Sequence, residues 1–311
     1  MESLFCLMPK VSICIPAYNQ AEHLKKTIDS VLVQTYRDYE IVITDDSPGS
    51  VVVDLVMAYD LPERIKYYKN ATTLGSPENW NESIRKASGQ YIKILHHDDW
   101  FNFEDSLAKY VRLLDENPGT DFAFSATQAI FPKGVDWVHA ISGKQLAALI
   151  ADPLLLYTNN IVGAPSTTIV RNNPELRFDR NLKWHVDIEY YIRQISSNPN
   201  IAYSPELLVV TFLAQGRVSD ECKGNKKVEV FEYFYLLNKI SANGRNYSNS
   251  SFKKCILRTI AICNEFEIKS VQDIRQCGYL DYIPLRITTW LAMNAVSVKL
   301  GKLYLKFLRN L

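Results

Sequence analysis

Segments typical of β-strands and segments typical of helices alternate from residue 11 to about residue 125, and this alternation constrains the fold more than any other feature. Residues 11–16, VSICIP, are a short β-branched run that proline ends, which favours a buried strand. The same pattern predicts strands at 40–44, 65–69, 91–95 and 121–126. It also predicts four helices: one that Asn19 caps, one at 51–59, one that Ser76 caps and that ends near Gly89, and one at 104–116. This order predicts an α/β fold in which helices sandwich a mostly parallel sheet.

Two pairs of adjacent aspartates follow two of these predicted strands. Asp45 and Asp46 come after the second strand, and Asp98 and Asp99 come after the fourth. Ligands bind at the carboxyl ends of the strands in open α/β sheets. Because adjacent carboxylates repel each other, they need a cation or hydrogen-bond donors nearby. The sequence therefore predicts a ligand site at this edge, suited to Mg²⁺ or Mn²⁺ shared with substrate phosphates.

Each acidic pair also has an ordinary structural interpretation. The first pair leads into Ser47-Pro48-Gly49, which is good turn chemistry. The second pair would otherwise lie in a solvated loop or cap the helix that follows Phe103. His96 and His97 precede the second pair, and they would add imidazole ligands, donate hydrogen bonds to a phosphate, or only support the strand.

The composition excludes several classes of protein. Lysine and arginine number 35 against 34 acidic residues, and the net charge of +1 argues against a nucleic-acid-binding protein. Hydrophobic residues make up 47% of the chain, too much apolar surface for a disordered protein. The six cysteines form no CxxC pair and are predicted to be reduced thiols. Without a signal-like start or an apolar run of spanning length, we predict a cytoplasmic protein, either soluble or peripheral on the inner membrane.

The second half of the chain is less regular. Helices are predicted at 145–158 and 184–196, and strands at Ile169-Val170 and 207–213. Helix breaks are predicted at Asn243-Gly244 and at Pro284. The pattern is helical from residue 226 onward. The polar stretch 215–227 therefore separates the α/β part from a helical appendage.

The end of the chain is basic and amphipathic. Residues 282–311 contain five cations and no acid. On a helical wheel, one side carries the cations Lys299, Lys302, Lys306 and Arg309. The opposite side carries the apolar residues Leu300, Leu303, Tyr304, Phe307 and Leu311. Such a helix is suited to lying on an anionic membrane surface. The alternative is a helix that packs on the catalytic domain and leaves its basic face in water.

Two stretches of the first half resemble the nucleotide-binding half of a family 2 glycosyltransferase with the GT-A fold. They are VSICIPAYNQAEHLKKTIDSVLVQTYRDYEIVITDDSPGS and NATTLGSPENWNESIRKASGQYIKILHHDDW. The resemblance runs from residue 10 to about residue 215, and it rests on several separated motifs in the family's order. The domains it implies are a GT-A catalytic domain at 1–220, made of a nucleotide-sugar half at 1–125 and an acceptor half at 126–220, and a helical region at 221–311.

The resemblance implies a donor site at the carboxyl ends of the strands. Its residues would contact a UDP-, GDP- or dTDP-linked sugar, and they are Pro16, Ala17, Tyr18, Asp45, Asp46, Asn79, Arg85 and Asp98. Asp98 and Asp99 stand where the family's DxD-type motif holds a divalent metal on the diphosphate. His96 stands at the position where that motif usually has its first acid. His96 is thus a further candidate ligand, and it would favour Mn²⁺ over Mg²⁺.

The resemblance also implies a base that deprotonates the acceptor hydroxyl. The family carries this aspartate in an acidic motif at a helix start, where Asp187 stands here, with Glu189 as the alternative. Both would otherwise be ordinary exposed helix acids. Weaker candidates for contact with the acceptor, each with an ordinary packing role as its alternative, are Ser166, Trp184 and His185. Arg217 replaces a histidine that relatives often place over the diphosphate, and arginine is a good diphosphate partner.

The resemblance, together with these residues, implies a metal-dependent hexosyl- or hexosaminyltransferase that acts with inversion on a saccharide acceptor. The resemblance to bacterial enzymes of surface-polysaccharide synthesis implies that this acceptor is lipid-linked. Two other classes stay open, a sugar nucleotidyltransferase and a non-catalytic nucleotide-sugar-binding or scaffolding protein on the same fold. A nucleotidyltransferase would need a glycine-rich phosphate loop after the first strand, whereas residues 17–20, AYNQ, contain no glycine. The retained aspartates argue against a scaffold.

Overall fold

The computed structural model describes residues 8–175, 177–213, 217–242 and 249–310. These residues fall into two compact units. The first unit contains the described residues up to 151 together with 161–181 and 190–213, and the second contains 152–160, 182–189 and the described residues from 217 onward. The predicted division of the chain at residue 220 stays a prediction. Cys6 and the predicted helix break at Asn243-Gly244 lie outside the described residues.

Within the described residues, the first unit contains one sheet of nine strands. In chain order the strands are β1 (Val11–Ala17), β2 (Tyr39–Asp45), β3 (Ile65–Lys69), β4 (Tyr91–Ile94), β5 (Trp100–Phe101), β6 (Phe122–Ile130), β7 (Trp137–His139), β8 (Thr168–Arg171) and β9 (Ile201–Phe212). Their order across the sheet is β3-β2-β1-β4-β8-β6-β9-β5, and β7 pairs with β6. The strands β3, β2, β1 and β4 are parallel, whereas β8 runs antiparallel to both of its neighbours.

Helices cover both faces of this sheet. The described helices up to residue 197 are α1 (Ala21–Leu32), α2 (Val51–Met57), α3 (Glu78–Lys86), α4 (Ser106–Asp115), α5 (Gly143–Ala151) and α6 (Val186–Ser197), the last of which begins among residues of the second unit. Leu24, Ile28 and Val31 recur at helical spacing on α1 and are fully buried with the odd-numbered residues of β1. Helix α3 packs on the opposite face, where Cys14 Sγ lies 3.5 Å from the Ser83 carbonyl. The predicted α/β fold is confirmed.

Two of the predicted helix caps are wrong. Helix α1 begins after Gln20, and no side chain caps it. Asn19 comes one residue too early because Asn19 and Gln20 both adopt left-handed backbone, with φ of 51° and 48°, which delays the start of the helix. Helix α3 likewise begins after Pro77, and the hydroxyl of Ser76 caps nothing.

Gly89 lies where the chain enters β4, in contact with β1. Its N–H donates to Ser12 Oγ (2.7 Å), and a Cβ on Gly89 would lie 2.5 Å from the Ser12 backbone nitrogen. We expect Gly89→Ala to lower the free energy of unfolding by ~1–3 kcal/mol, because the backbone of β1 would have to move. Gly143→Ala is the matched control, since no atom lies within 4 Å of its added Cβ. Urea unfolding measures both variants, and equal losses would contradict this contact.

The described part of the second unit is helical. Its elements are a 3₁₀ helix at Pro153–Tyr157, the first residues of α6, and α7 (Val218–Cys222), α8 (Lys226–Ala242), α9 (Asn249–Glu265), α10 (Val271–Gln276), α11 (Leu285–Val296) and α12 (Val298–Asn310). The predicted C-terminal helices are therefore confirmed, and Pro284 marks the start of α11 as predicted. The five described cysteines are free thiols, also as predicted. Among the described residues, no helix combines the length and apolarity that crossing a bilayer requires.

Candidate active site

The parallel register of the sheet brings the two acidic clusters to one edge. Ala17, the last residue of β1, pairs with Asp45, the last residue of β2. Strand β4 is the other neighbour of β1, and in the segment after it His97 Nδ1 lies 3.3 Å from the Pro16 carbonyl. The two clusters therefore flank the carboxyl end of β1, as the sequence predicts.

The carboxylate of Asp45 is fully buried and hydrogen-bonded within the protein. Its Oδ1 accepts from the Ser47 N–H (2.7 Å), and its Oδ2 accepts from the Tyr67 hydroxyl (2.7 Å) and Lys69 Nζ (2.9 Å). Burial alone would raise the pKa of Asp45, but these donors hold the pKa below its usual value. Asp45 is thus ionised at neutral pH, and its contact with the nucleotide stays a prediction.

Asp46 and Asn79 fix the segment that connects β3 to α3. Asp46 accepts from Asn70 Nδ2 (2.6 Å) and from the N–H groups of Leu74 (3.0 Å) and Gly75 (2.7 Å). The side-chain amide of Asn79 donates to the carbonyls at the ends of β1 and β2, at 3.3 and 3.2 Å. Both side chains shape the edge of the sheet, and their predicted nucleotide contacts stay predictions.

The other predicted donor residues differ in their surroundings. Arg85 lies on α3 and pairs with two acids of the same helix, Glu78 (2.7 Å) and Glu82 (2.6 Å). Tyr18 follows β1 and is 48% exposed, so its ring is available to a ligand. The roles of both residues stay predictions.

His96, Asp98 and Asp99 are the one group of three candidate metal ligands among the described residues. Their ligand atoms all lie within 4.8 Å of one another, and His96 Nδ1 lies 3.9 Å from Asp99 Oδ2. The Nε2 atom of His96 is buried and has no hydrogen-bond partner among the described residues. An unpartnered buried imidazole nitrogen is rare. The imidazole of His96 and the carboxylates of Asp98 and Asp99 together form a donor set that fits a divalent cation.

Burial sets the charge state of this cluster. It lowers the pKa of His96 to about 4, so the imidazole is neutral at pH 7 and able to bind a metal. Burial and then the charge of Asp98 raise the pKa of Asp99 to about 8. A bound cation would offset this repulsion and favour the ionised carboxylate.

Lys93 is a buried lysine near this cluster that the sequence analysis missed. Its Nζ donates to the carbonyls of Ile94 (3.2 Å) and Ser166, and it lies 4.4 Å from the centre of the Tyr110 ring. Ser166 is also fully buried, and its Oγ accepts from the His96 N–H (3.0 Å). These bonds connect the interior of the sheet to the backbone of the candidate metal site. The predicted acceptor contact of Ser166 stays a prediction.

In the second unit, Asp187 lies in the first turn of α6. Its Oδ1 accepts from the Ile188 N–H (2.8 Å), and its Oδ2 accepts from Asn160 Nδ2 (2.8 Å). Burial raises the pKa of Asp187 to about 6, although the Ile188 N–H and the charge of His185 oppose the shift. The carboxylate is therefore ionised above pH 6 and is a stronger base than an ordinary aspartate.

Near Asp187, Glu189 and His185 are buried, Trp184 is half-buried, and all three side chains have partners. Glu189, the alternative base, forms an ion pair with Lys239 (2.9 Å). The ring of His185 packs against the rings of Trp184 and Tyr233, with centroids 4.7 and 4.6 Å apart. The predicted acceptor contacts of Trp184 and His185 stay predictions.

Arg217, the predicted diphosphate partner, lies in the second unit. Arg217 precedes α7 and donates from Nη2 to Asp220 Oδ1 (3.1 Å). Its contact with a diphosphate stays a prediction.

The fold is that of the GT-A glycosyltransferases. Staphylococcus aureus TarS in complex with UDP-GlcNAc superposes with a TM-score of 0.66 and 16% identity, over 97% of this chain and 87% of that chain. A mannosyltransferase from Pyrobaculum calidifontis, in complex with GDP-Man and Mn²⁺, superposes with a TM-score of 0.56 and 13% identity, over 97% and 84%. At these identities the similarity concerns the fold.

The chain belongs to glycosyl transferase family 2, whose sequence profile matches residues 12–176, more than half of the chain. It is 36% identical over 97 residues to a GalNAc(5)-diNAcBac-PP-undecaprenol β-1,3-glucosyltransferase of Campylobacter jejuni, a match that covers 30% of each chain. It is 34% identical over 135 residues to an uncharacterized glycosyltransferase of Rickettsia felis, over 42% of this chain and 22% of that protein. The match thus spans less than a third of either relative.

Proposed function

We propose that the protein transfers a hexosyl or hexosaminyl residue from a nucleotide sugar to a saccharide acceptor, with inversion at the anomeric carbon. The observation that carries this proposal is the cluster of His96, Asp98 and Asp99 at the carboxyl edge of the parallel strands, with the buried nitrogen of His96 unpartnered. The Campylobacter relative is named for an undecaprenol-linked saccharide, and this name supports a lipid-linked acceptor and a role in surface-polysaccharide synthesis.

His96, Asp98 and Asp99 would hold Mn²⁺ or Mg²⁺ against the donor diphosphate. Such a cation, when bound, stabilises the negative charge of a nucleoside-diphosphate leaving group as a Lewis acid. The neutral imidazole of His96 favours Mn²⁺, because histidine is a softer ligand than carboxylate. The Mn²⁺ in the mannosyltransferase complex from Pyrobaculum supports the same choice.

Asp187 would act as the general base. The acceptor oxygen forms a bond to the anomeric carbon while the bond from that carbon to the diphosphate oxygen breaks, and the hydroxyl proton passes to the Asp187 carboxylate. Asn160 and the Ile188 N–H orient the carboxylate for this transfer. Because the pKa of Asp187 is about 6, the rate should rise with pH through that value.

A thermal-shift panel tests the proposal and identifies the donor. UDP-, GDP- and dTDP-linked sugars are each added with Mn²⁺, Mg²⁺ or EDTA. A donor at 100 times its dissociation constant should add ~2.7 kcal/mol to the free energy of unfolding. We expect one nucleotide class to stabilise the protein, and more strongly with Mn²⁺ than with EDTA. The absence of a shift with every donor and metal would contradict the proposal and favour a scaffolding protein.

The proposal includes peripheral attachment to the cytoplasmic face of the inner membrane through α12. This helix exposes apolar Leu303 (63%) and Phe307 (55%), next to the exposed cations Lys299, Lys302 and Lys306. Exposed apolar residues beside lysines are typical of helices that lie on anionic bilayers. No acid lies between residue 282 and the end of the chain to offset the positive charge.

Vesicle co-sedimentation tests this attachment. Each lysine near an anionic surface contributes about 1 kcal/mol, so replacing Lys299, Lys302 and Lys306 with glutamine should weaken binding to phosphatidylglycerol vesicles ~100-fold. The matched control removes the same charge from three exposed lysines before and in α8, Lys223, Lys226 and Lys227. Equal binding by the two triple variants, or by neutral and anionic vesicles, would contradict a membrane role for α12.

A further inference from the structure

Glu232, on α8, binds the chain segment that directly precedes α6. Its carboxylate is buried, and it accepts from the backbone N–H groups of Lys183 (2.6 Å), Trp184 (3.1 Å) and His185 (2.7 Å). The Nδ1 atom of His185 lies 3.2 Å from the same carboxylate. Three successive N–H groups that face one carboxylate form an anion-binding nest, here occupied by a side chain of a different helix.

Lys239 contacts α6 on the C-terminal side of Asp187, at Glu189. It lies seven residues after Glu232 and therefore on the same face of α8. Its Nζ lies 2.9 Å from Glu189 Oε1, whose side chain is buried. The two charged side chains of α8 thus bind the residues just before Asp187 and the residue two positions after it.

These contacts fix position more than they add stability. Charged groups buried together often contribute no more to stability than apolar residues of the same volume, because their desolvation offsets their attraction. Hydrogen bonds to backbone N–H groups, however, define where the chain lies, since they have narrow distance and angle ranges. The start of α6, and with it the carboxylate of Asp187, is held in one place by these bonds.

We propose that Glu232 and Lys239 are positioning residues for Asp187, so that the C-terminal helices are part of the catalytic machinery. This inference rests on the proposed function, in which Asp187 is the general base. Small displacements of a catalytic group cost large factors in rate, about 100-fold for ~1 Å. The loss of either contact should therefore lower kcat more than it changes the affinity for the donor.

Glu232→Gln tests the inference, because the amide keeps the volume but loses one of the two acceptor oxygens. We expect kcat to fall ~10- to 100-fold, with the donor Kd changed less than twofold. Glu229→Gln is the matched control, since Glu229 lies on the same helix, is equally buried and accepts from a different N–H, that of Gly224 (2.6 Å). It should lose similar thermal stability and keep kcat within twofold. Equal kcat in the two variants would overturn the inference.

A second variant covers the case in which Glu232→Gln does not fold. Lys239→Met keeps the aliphatic part of the side chain and removes the ion pair with Glu189. We expect kcat to fall roughly three- to tenfold and Lys239→Arg to restore it, because arginine can remake the pair. Wild-type kcat in Lys239→Met would overturn the inference. Asp187→Asn in the same assay tests the proposed function separately. An active Asp187→Asn variant would show that Asp187 is not the general base, which contradicts the proposed function and not only the positioning roles of Glu232 and Lys239.

Discussion

Asp187→Asn should lower kcat by ~10²–10⁴-fold and leave the donor Kd unchanged, because it removes the general base and keeps the shape of the side chain. Asparagine retains an oxygen that can accept from the Ile188 N–H. Steady-state transfer kinetics and nucleotide titration measure the two quantities. Glu189→Gln is the comparison, since it removes the alternative base, and we expect it to cost less than tenfold. A larger loss of kcat in Glu189→Gln than in Asp187→Asn would mean that Glu189, and not Asp187, is the general base.

The same substitution should not destabilise the protein at alkaline pH. The pKa of Asp187 is raised from 3.8 to about 6 in the folded state, so the folded protein binds this proton more tightly than the unfolded chain does. The stability that this proton contributes is fully present below about pH 4 and is lost as the pH rises through 6. At pH 8 the ionised carboxylate therefore costs stability. We expect Asp187→Asn to melt at the wild-type temperature or above it, and a lower melting temperature at pH 8 would contradict this.

Asp98→Ala should abolish the metal-dependent stabilisation by the donor and lower kcat by ~10³-fold or more, since the bound cation would supply several kcal/mol of charge stabilisation. Thermal shift with and without EDTA measures the first effect, and transfer assays measure the second. The matched control is Asp105→Ala, because Asp105 is exposed and its pair with Lys109 (3.0 Å) lies outside the candidate metal cluster. A metal-dependent shift that survives in Asp98→Ala would move the cation site away from this cluster.

The parallel strands could be predicted because their local pattern and their tertiary role agree. The pattern predicts a strand at residues 65–69, which is β3, and the apolar run after Lys10 is β1. Strands β5 and β7 are two and three residues long, too short to show a period. Pairing defines them: β5 pairs with the distant strand β9, and β7 pairs with β6, the strand directly before it in the chain. The helix predicted at 145–158 ends at Ala151, because Pro153 cannot continue it and starts a 3₁₀ helix.

The acidic edge of the sheet could be predicted because it depends only on which residues follow which strands. Lys93 could not, because β4 is buried on both faces and the run YIKIL shows no alternation that marks a covered lysine. Glu232 left a signal in VFEYFYLL, where a carboxylate occurs among aromatic residues of a helix. Its partners lie 47 to 49 residues earlier in the chain, and only the tertiary structure brings them together.

The anomeric configuration of the first product tests direct displacement by a nucleophile that Asp187 activates. An α-linked nucleotide sugar that stabilises the protein is incubated with it and Mn²⁺ without an acceptor, so that water is the nucleophile. Proton NMR follows the anomeric signal of the released sugar before mutarotation equilibrates it. We expect a β-configured product from wild type and no product above background from Asp187→Asn. An α-configured product would mean retention, and it would contradict a single displacement with Asp187 as the base.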